Sequence, residues 1–523
     1  MTGADVSGSA PGRAPPAIEL RAIAKSFGHV QANQDIDLVV EPGTIHGIVG
    51  ENGAGKSTLM NTLYGLHQAD AGEILINGAP APIRSSADAI GHGIGMVHQH
   101  FMLVPNFSVL ENVMLGSEGG PLLAEGREKI LAILEGLASD YGMTVDPHAL
   151  AGDLPVGLQQ RVEIIKALKG GARILILDEP TGVLTPQEAE SLFRILDTLR
   201  QDGVTVLLIT HKLEEIMAAT DNVSIMRQGR MVGHRATRDT NPEELAELMV
   251  GRKVLLRVDR GTSSPGETRL SVEQLGCVSP EGVQLLDDIS FEVRSGEILG
   301  TAGIAGNGQS ELLEVLAGMR RPDWGRIRMM GTEITPDAET DPDETRKRGV
   351  AHIPEDRHRH GLVLGFTARE NAILGYHRGS ATGERSLIDA TAVTSHCEKL
   401  MAEHDVRPPN PELRARSFSG GNQQKLVIAR ELDTRPDVLI VGQPTRGVDI
   451  GAIEFIHKEL IALRGEGAAI VLVSVELEEI LGLSDRIMVM NAGRLVGIVD
   501  RHEANERTLG LMMAGIGAAE DAA

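Results

Sequence analysis

Residues 47–58 read GIVGENGAGKST, and residues 300–311 read GTAGIAGNGQSE. The first stretch carries the spacing G-x-x-x-x-G-K-S over 50–57, after the apolar run TIHGIVG (44–50) and before the helix-forming STLMNTLYGL (57–66). A buried strand that turns through glycines into a helix lets backbone N–H groups close on phosphate oxygens. The helix N-terminus adds its dipole. Gly50, Asn52, Gly53 and Gly55 form the loop. Lys56 would neutralise β- and γ-phosphates, and Ser57, followed by Thr58, would ligate Mg²⁺. The second stretch keeps Gly303, Gly308 and Ser310 but has Gln309 in place of the lysine.

The two stretches belong to a whole-domain repeat. Gly50 and Gly303 differ by 253 positions; SVLENVMLG (108–116) returns as TARENAILG (367–375), 259 later. VGLQQRVEIIKAL (156–168), ILDEPTGVLT (176–185) and MRQGRMVG (226–233) return as GGNQQKLVIAREL (420–432), IVGQPTRGVD (440–449) and MNAGRLVG (490–497), each 264 later. Five blocks in one order, with a slowly growing offset, mean duplication. The organisation expected is a disordered lead-in (1–17), a first domain (18–255), a short polar linker (256–267), a second domain (268–515) and a tail (516–523). Apolar runs such as ILILD (174–178), VTVLLIT (204–210) and IVLVS (470–474) predict buried strands. Amphipathic stretches such as AESLFRILDTLRQ (189–201) predict helices between them. The fold class is therefore α/β, with a mostly parallel sheet in each half.

The totals narrow the function. A chain of 523 residues with 41% apolar and 24% charged residues is ordinary globular material. Its 73 acidic against 50 basic residues, a net charge of −23, argue against a nucleic-acid partner. No run of 18 apolar residues is present, so no spanning helix is expected. Cys277 and Cys397 lack metal-type spacing and read as buried or idle thiols.

A second segment of the first half completes a nucleotide site. ILILDEP (174–180) ends an apolar strand in two acids, placing Asp178 on the Mg²⁺ and Glu179 against the attacking water, as its base or as an orienting acceptor. His211 closes VTVLLITH (204–211), where it could reach the γ-phosphate. Gln99, in GMVHQHF (95–101), could touch Mg²⁺ or water. Phe27 could stack on a nucleobase or equally well sit in the core.

Together with FSGGNQQK (418–425), which is similar to a family signature, these motifs resemble the ATPases of ATP-binding cassette (ABC) transporters, twice over along almost the whole chain. The resemblance implies two cassettes packed head to tail, each ATP lying between the P-loop of one and the signature of the other. One composite site would join Lys56, Ser57, Gln99, Asp178, Glu179 and His211 to Ser419, Gly420, Gly421 and Asp449. In the other, Gln309 stands for the lysine, Gly442 for the Mg²⁺-binding aspartate, Gln443 for the catalytic glutamate and Val475 for the histidine. Pro155, Val156 and Thr185 depart from the facing signature and crossing loop. This second site would not hydrolyse ATP, and whether it binds ATP is left open.

Tandem cassettes with PEDR (354–357) and PTRGVD (444–449) resemble the energy-coupling subunits of bacterial simple-sugar and nucleoside importers. GNGQSE (306–311), QPTRGVDIGA (443–452) and HQHFMLVPN (98–106) look most like the nucleoside branch, since GQPTRG stands where the sugar branch keeps DEPTRG. The resemblance implies ATP and Mg²⁺ as cofactors and two integral-membrane permease subunits as partners, with a substrate-binding lipoprotein acting indirectly. It implies a peripheral position on the cytoplasmic face of the cell membrane. The alternatives are a ribose- or galactose-type sugar importer and, more distantly, a soluble tandem-cassette translation factor.

Overall fold

The computed structural model describes residues 14–28, 30–98, 101–116, 124–182, 184, 186–253, 259–304, 306–338, 341–377 and 388–515. Gln99, Thr185, the first thirteen residues and the tail from 516 lie outside the described residues. The chain divides into two compact units, Met1–Val254 and Leu255–Ala523.

In the first unit a six-stranded sheet runs in the order Arg230–Ala236, Asn222–Arg227, Ile45–Gly50, Thr205–Ile209, Ile174–Asp178, Ile94–Val97. All neighbours are parallel except the terminal hairpin. The reason is visible in ILILD. Ile174 and Ile176 pack on one face, with Ile48, Leu207 and Ile209. Leu175 and Leu177 pack on the other, with Val206, Leu208 and the helical residues Val109, Ile164 and Leu196. A strand covered on both faces needs an unbroken apolar run, and each fully buried Leu or Ile contributes about 1.5–3 kcal/mol.

What covers the first face is a second sheet that the strand–helix alternation did not predict. Its four antiparallel strands run Val30–Val40, Ile18–Phe27, Ala71–Ile76, Ala79–Pro80. These strands read as mixed rather than apolar because only one face is buried: Ile36, Leu38 and Val40 point inward, while Asp37 and Val39 are exposed. Ala17, expected within the lead-in, is already bound into this sheet, its N–H donating to Val40 O at 2.9 Å. The other face carries the helices Val109–Met114, Ala124–Tyr141 and Val156–Lys169.

The second unit repeats this plan, with sheet order Val350–Ile353, Val438–Gly442, Ala469–Val473, Glu297–Ala302, Arg486–Asn491, Arg494–Asp500 and a four-stranded antiparallel partner. The repeat extends to single hydrogen bonds. Ser108 and Glu111 form a capping box, as do Thr367 and Glu370. One residue on in each helix, Asn112 Oδ1 accepts from Val104 N and Asn371 Oδ1 from Val363 N, both at 2.8 Å. The segment expected as a linker is in part held by the second unit: Arg260 donates to Ser484 O at 2.6 Å and Ser263 to Gly296 O at 3.0 Å. Cys277 and Cys397 are buried free thiols, and burial pushes Cys397 up to about 12.

Candidate nucleotide site

Parallel register brings Lys56, Asp178, Glu179 and His211 of the first unit together. Ile48 pairs with Ile209, and Ile209 with Asp178. The P-loop, Asp178–Glu179 and Thr210–His211 therefore leave the sheet at one carboxyl edge, where open α/β sheets bind ligands. Gly55 caps the helix Lys56–Leu63 in the left-handed region at φ 100°, a conformation that only glycine adopts without strain. Asn33 Nδ2 fastens the turn by donating to Gly55 O at 3.1 Å.

Lys56 is buried, and its Nζ donates to Gly50 O at 2.6 Å and to Glu51 O at 3.1 Å. Burial pulls its pKa down, while Glu179 and Asp178 oppose that pull. Asp178 is buried at the strand end, and this raises its pKa; the Ser57 hydroxyl, hydrogen-bonded to it, works the other way. A hydroxyl beside a buried carboxylate fits Mg²⁺, whose charge would hold Asp178 ionised. Among the described residues no group of three His, Cys, Asp or Glu forms a closed metal cage.

Glu179 takes φ 47°, in the left-handed region, with its N–H donating to Ile209 O at 2.8 Å. The turn aims the side chain at His211, whose Nδ1 lies 3.0 Å from Oε1, and this bond holds the Glu179 carboxyl below the usual range. Glu179 is thus an ionised carboxylate with a histidine neighbour able to orient it. Phe27 is 45% exposed and stands edge-on to His67 at 5.1 Å, which removes the core reading for it. Glu215 is a positioning residue that motif reading passed over. It accepts from Thr210 Oγ1 at 2.9 Å and from Thr181 Oγ1, tying together the turns that carry His211 and Glu179. The LEE of THKLEE was its only sequence signal.

In the second unit the same backbone carries other chemistry. Gly308 caps the helix Gln309–Leu316 at φ 97°, and Gln443 takes φ 46° with its N–H donating to Val473 O at 2.8 Å. Val475 stands at the position of His211, and only its backbone N–H reaches Gln443 Oε1, at 3.2 Å. Ser310 donates to Glu355 Oε2 at 2.6 Å, a contact that motif reading also missed. The signature residues come together here. Ser419 caps the helix Gly420–Leu432, and a Cβ on Gly421 would stand 2.8 Å from Asp449 Oδ2. In the first unit Pro155 holds the equivalent cap position and offers no side-chain acceptor.

Two P-loop units, one carrying Lys56, Asp178, Glu179 and His211 and the other Gln309, Gly442, Gln443 and Val475 at the same places, define the class as a tandem-cassette nucleoside-triphosphatase. A family model described as ABC transporter matches residues 33–182 and 286–446. The chain belongs to the ABC transporter family, as an ATP-hydrolysing subunit with tandem cassettes. It is 45% identical to a guanosine import ATP-binding protein of Bacillus subtilis (strain 168), covering 95% of this chain and 97% of the relative. It is 45% identical to a nucleoside import ATP-binding protein of Lactococcus lactis subsp. cremoris (95% and 98%), and 41% to a ribose import ATP-binding protein of Chromobacterium violaceum (96% and 98%). Among solved structures, a chain in the complex of archaeal ribosomal stalk protein aP1 with archaeal ribosome recycling factor aABCE1 superposes with a TM-score of 0.62. It covers 94% of this chain and 92% of that chain at 20% identity, a likeness of fold alone.

Proposed function

We propose that the chain powers a nucleoside importer by hydrolysing ATP in its first cassette. The observation that carries the ATPase part is the gathering of Lys56, Asp178, Glu179 and His211 at one sheet edge, against Gln309, Gly442, Gln443 and Val475 at the equivalent edge of the second unit. Glu179 is the base for the attacking water and His211 holds it. Lys56 and the loop N–H groups bind the phosphates, Ser57 and Asp178 hold Mg²⁺ with Gln99, and Phe27 stacks on the base.

Ser419, Gly420, Gly421 and Asp449 complete this site across a head-to-tail pair of cassettes, formed within one chain or between two. The support is chemical: all departures from the family pattern collect on the opposite composite site, whereas undirected decay would scatter them over both. ATP closes the pair, closure drives two membrane subunits through alternating access, and hydrolysis reopens it.

The protein works as a peripheral subunit on the cytoplasmic face of the bacterial cell membrane. Phe107 and Phe366, each exposed just before its capping box, and the neighbouring Met102 and Val363 offer apolar contacts for the permeases. Among the described residues no helix is long and apolar enough to cross a membrane. Nucleosides are favoured over sugars by the two import relatives at 45%, against 42% for a glucose and 41% for a ribose relative, and by GQPTRG. The same import relatives weigh against a translation factor.

Uptake tests the reading. Cells expressing this chain with its permeases and receptor lipoprotein should accumulate labelled guanosine, and Lys56→Ala should stop it. Accumulation of labelled ribose but not of any nucleoside would replace the substrate. Uptake unaffected by Lys56→Ala would refute the assigned site.

A further inference from the structure

The second unit lacks an acid at the strand end, yet an acid stands beside its P-loop serine. Register identifies that acid. Val97 pairs with Leu177 in the first unit, and Ile353 pairs with Val441 in the second. Gly442 therefore stands for Asp178, and Glu355, two residues past its strand, stands for Gln99. A Cβ built on Gly442 would lie 2.5 Å from Glu355 Cγ and 3.0 Å from its backbone N. Leu313 Cδ1 would lie 2.7 Å away, so the space vacated by the aspartate side chain is filled by the Glu355 stem together with the tip of Leu313. The Glu355 carboxylate accepts from Ser310 Oγ at 2.6 Å, as the Asp178 carboxylate is hydrogen-bonded by Ser57 in the first unit. The carboxylate has moved from one strand to its neighbour while keeping its serine.

A second observation points to a ligand. Gln309 is 4% exposed, and its Nε2 is buried without a hydrogen-bond partner, lodged against the P-loop where a Cβ on Gly303 would meet it at 2.4 Å. A buried amide N–H₂ left unpaired is costly, and a phosphate oxygen in the loop would satisfy it.

We propose that the second cassette binds a nucleoside triphosphate as its divalent-metal complex, with Glu355 and Ser310 as metal ligands and Gln309 as a neutral phosphate donor. No covalent step is involved, because Gln443 cannot act as a base. The charge balance gives the proposal its character. The first cassette meets the triphosphate with Lys56 and therefore retains some affinity for free nucleotide. The second has lost that cation and set a carboxylate beside the phosphates, so only a bridging divalent ion makes the site attractive. Binding there should depend on metal far more steeply than in the first cassette.

The inference rests on the second unit being a nucleotide-binding cassette, not on the transported solute, and its readout is independent of uptake. The full-length chain with Lys56→Ala, which disables the first P-loop, is titrated with Mn²⁺ and radiolabelled ATP, bound Mn²⁺ being followed by electron paramagnetic resonance. One Mn²⁺–ATP per chain is expected, with affinity at least tenfold weaker when EDTA replaces the metal. Glu355→Gln, which keeps an acceptor for Ser310, should weaken binding at least tenfold. Glu355→Ala combined with Gly442→Asp returns the acid to the strand end and removes one of the two side chains that a residue at 442 would strike. The other, the flexible tip of Leu313 at 2.7 Å, turns aside, and binding should return to within about threefold. Absence of Mn²⁺–ATP from the Lys56→Ala chain, equal binding in EDTA, unchanged affinity in Glu355→Gln, or a folded double variant without restored binding would each overturn the proposal.

Discussion

Replacing Glu179 with glutamine should remove catalysis and leave the fold almost untouched, and the molecule contains its own control for the second half of that statement. Gln443 occupies the equivalent turn with φ 46° against 47°, and with the same N–H to carbonyl bond of 2.8 Å across the neighbouring strand. A glutamine is therefore already accommodated in this left-handed conformation, whose strain of about 1–3 kcal/mol both cassettes carry. The Gln Oε1 can still accept from His211 Nδ1, now 3.0 Å from Glu179 Oε1. What is lost is the charge assistance of that bond, on the order of 1 kcal/mol. Catalytically the loss is larger. Removing a positioned general base reduces turnover about 10²–10⁴-fold, or roughly 3–5 kcal/mol of barrier. The assay is steady-state phosphate release by the chain assembled with its membrane subunits, with ATP binding and thermal melting measured on the same preparations. ATP affinity should hold and the melting temperature should move by only a few degrees. Turnover within tenfold of the parent would refute Glu179 as the base. A collapse in melting temperature would refute the argument from Gln443.

Three further outcomes follow from particular contacts. Gly53→Ala meets open space and should cost only the left-handed strain, about 1–2 kcal/mol. Gly55→Ala would put its Cβ 2.3 Å from Ala32 O and 2.7 Å from Asn33 Nδ2, so it should cost more in denaturant titrations and weaken nucleotide binding further. Glu431→Ala strips the acceptor from buried Arg430 (Nε–Oε1 2.8 Å) and from Tyr376 (2.6 Å) and should cost about 3–5 kcal/mol in urea unfolding, with Glu431→Gln costing less. Burial lowers both His46 and His352 to about 4. Between about 6.5 and 4 the unfolded chain binds more protons than the folded one, so stability should be full above pH 6.5 and fall as the medium is acidified, by about 3 kcal/mol per histidine at pH 4. Melting curves from pH 7.5 to 4.5 check this, and His46→Gln should flatten the decline.

The two cassettes show how one backbone supports different electrostatics. Each edge positions a P-loop helix, a strand-end residue and a left-handed turn, because these depend on register and glycine placement that both units share. Between the units the charge changes hands: a lysine becomes a neutral amide, and a carboxylate leaves one strand for its neighbour.

The amino-acid sequence by itself determined the duplication, the α/β class, the P-loop and the asymmetry between the cassettes. Each of these is a local constraint, written in glycines that need unusual backbone, in unbroken apolar runs for strands covered on both faces, or in blocks that recur in one order. The antiparallel sheets were hidden because strands buried on one side, such as Val30–Val40, give up the unbroken apolar run. Tertiary structure alone decided which side chains meet. His211 reaches Glu179 across 32 residues and Ser310 reaches Glu355 across 45, each from a separate element whose position follows from pairing in the sheet. Gly442 reads as a loss when taken alone. Only the neighbouring strand, which carries Glu355 into the space a side chain would have occupied, turns that loss into an exchange.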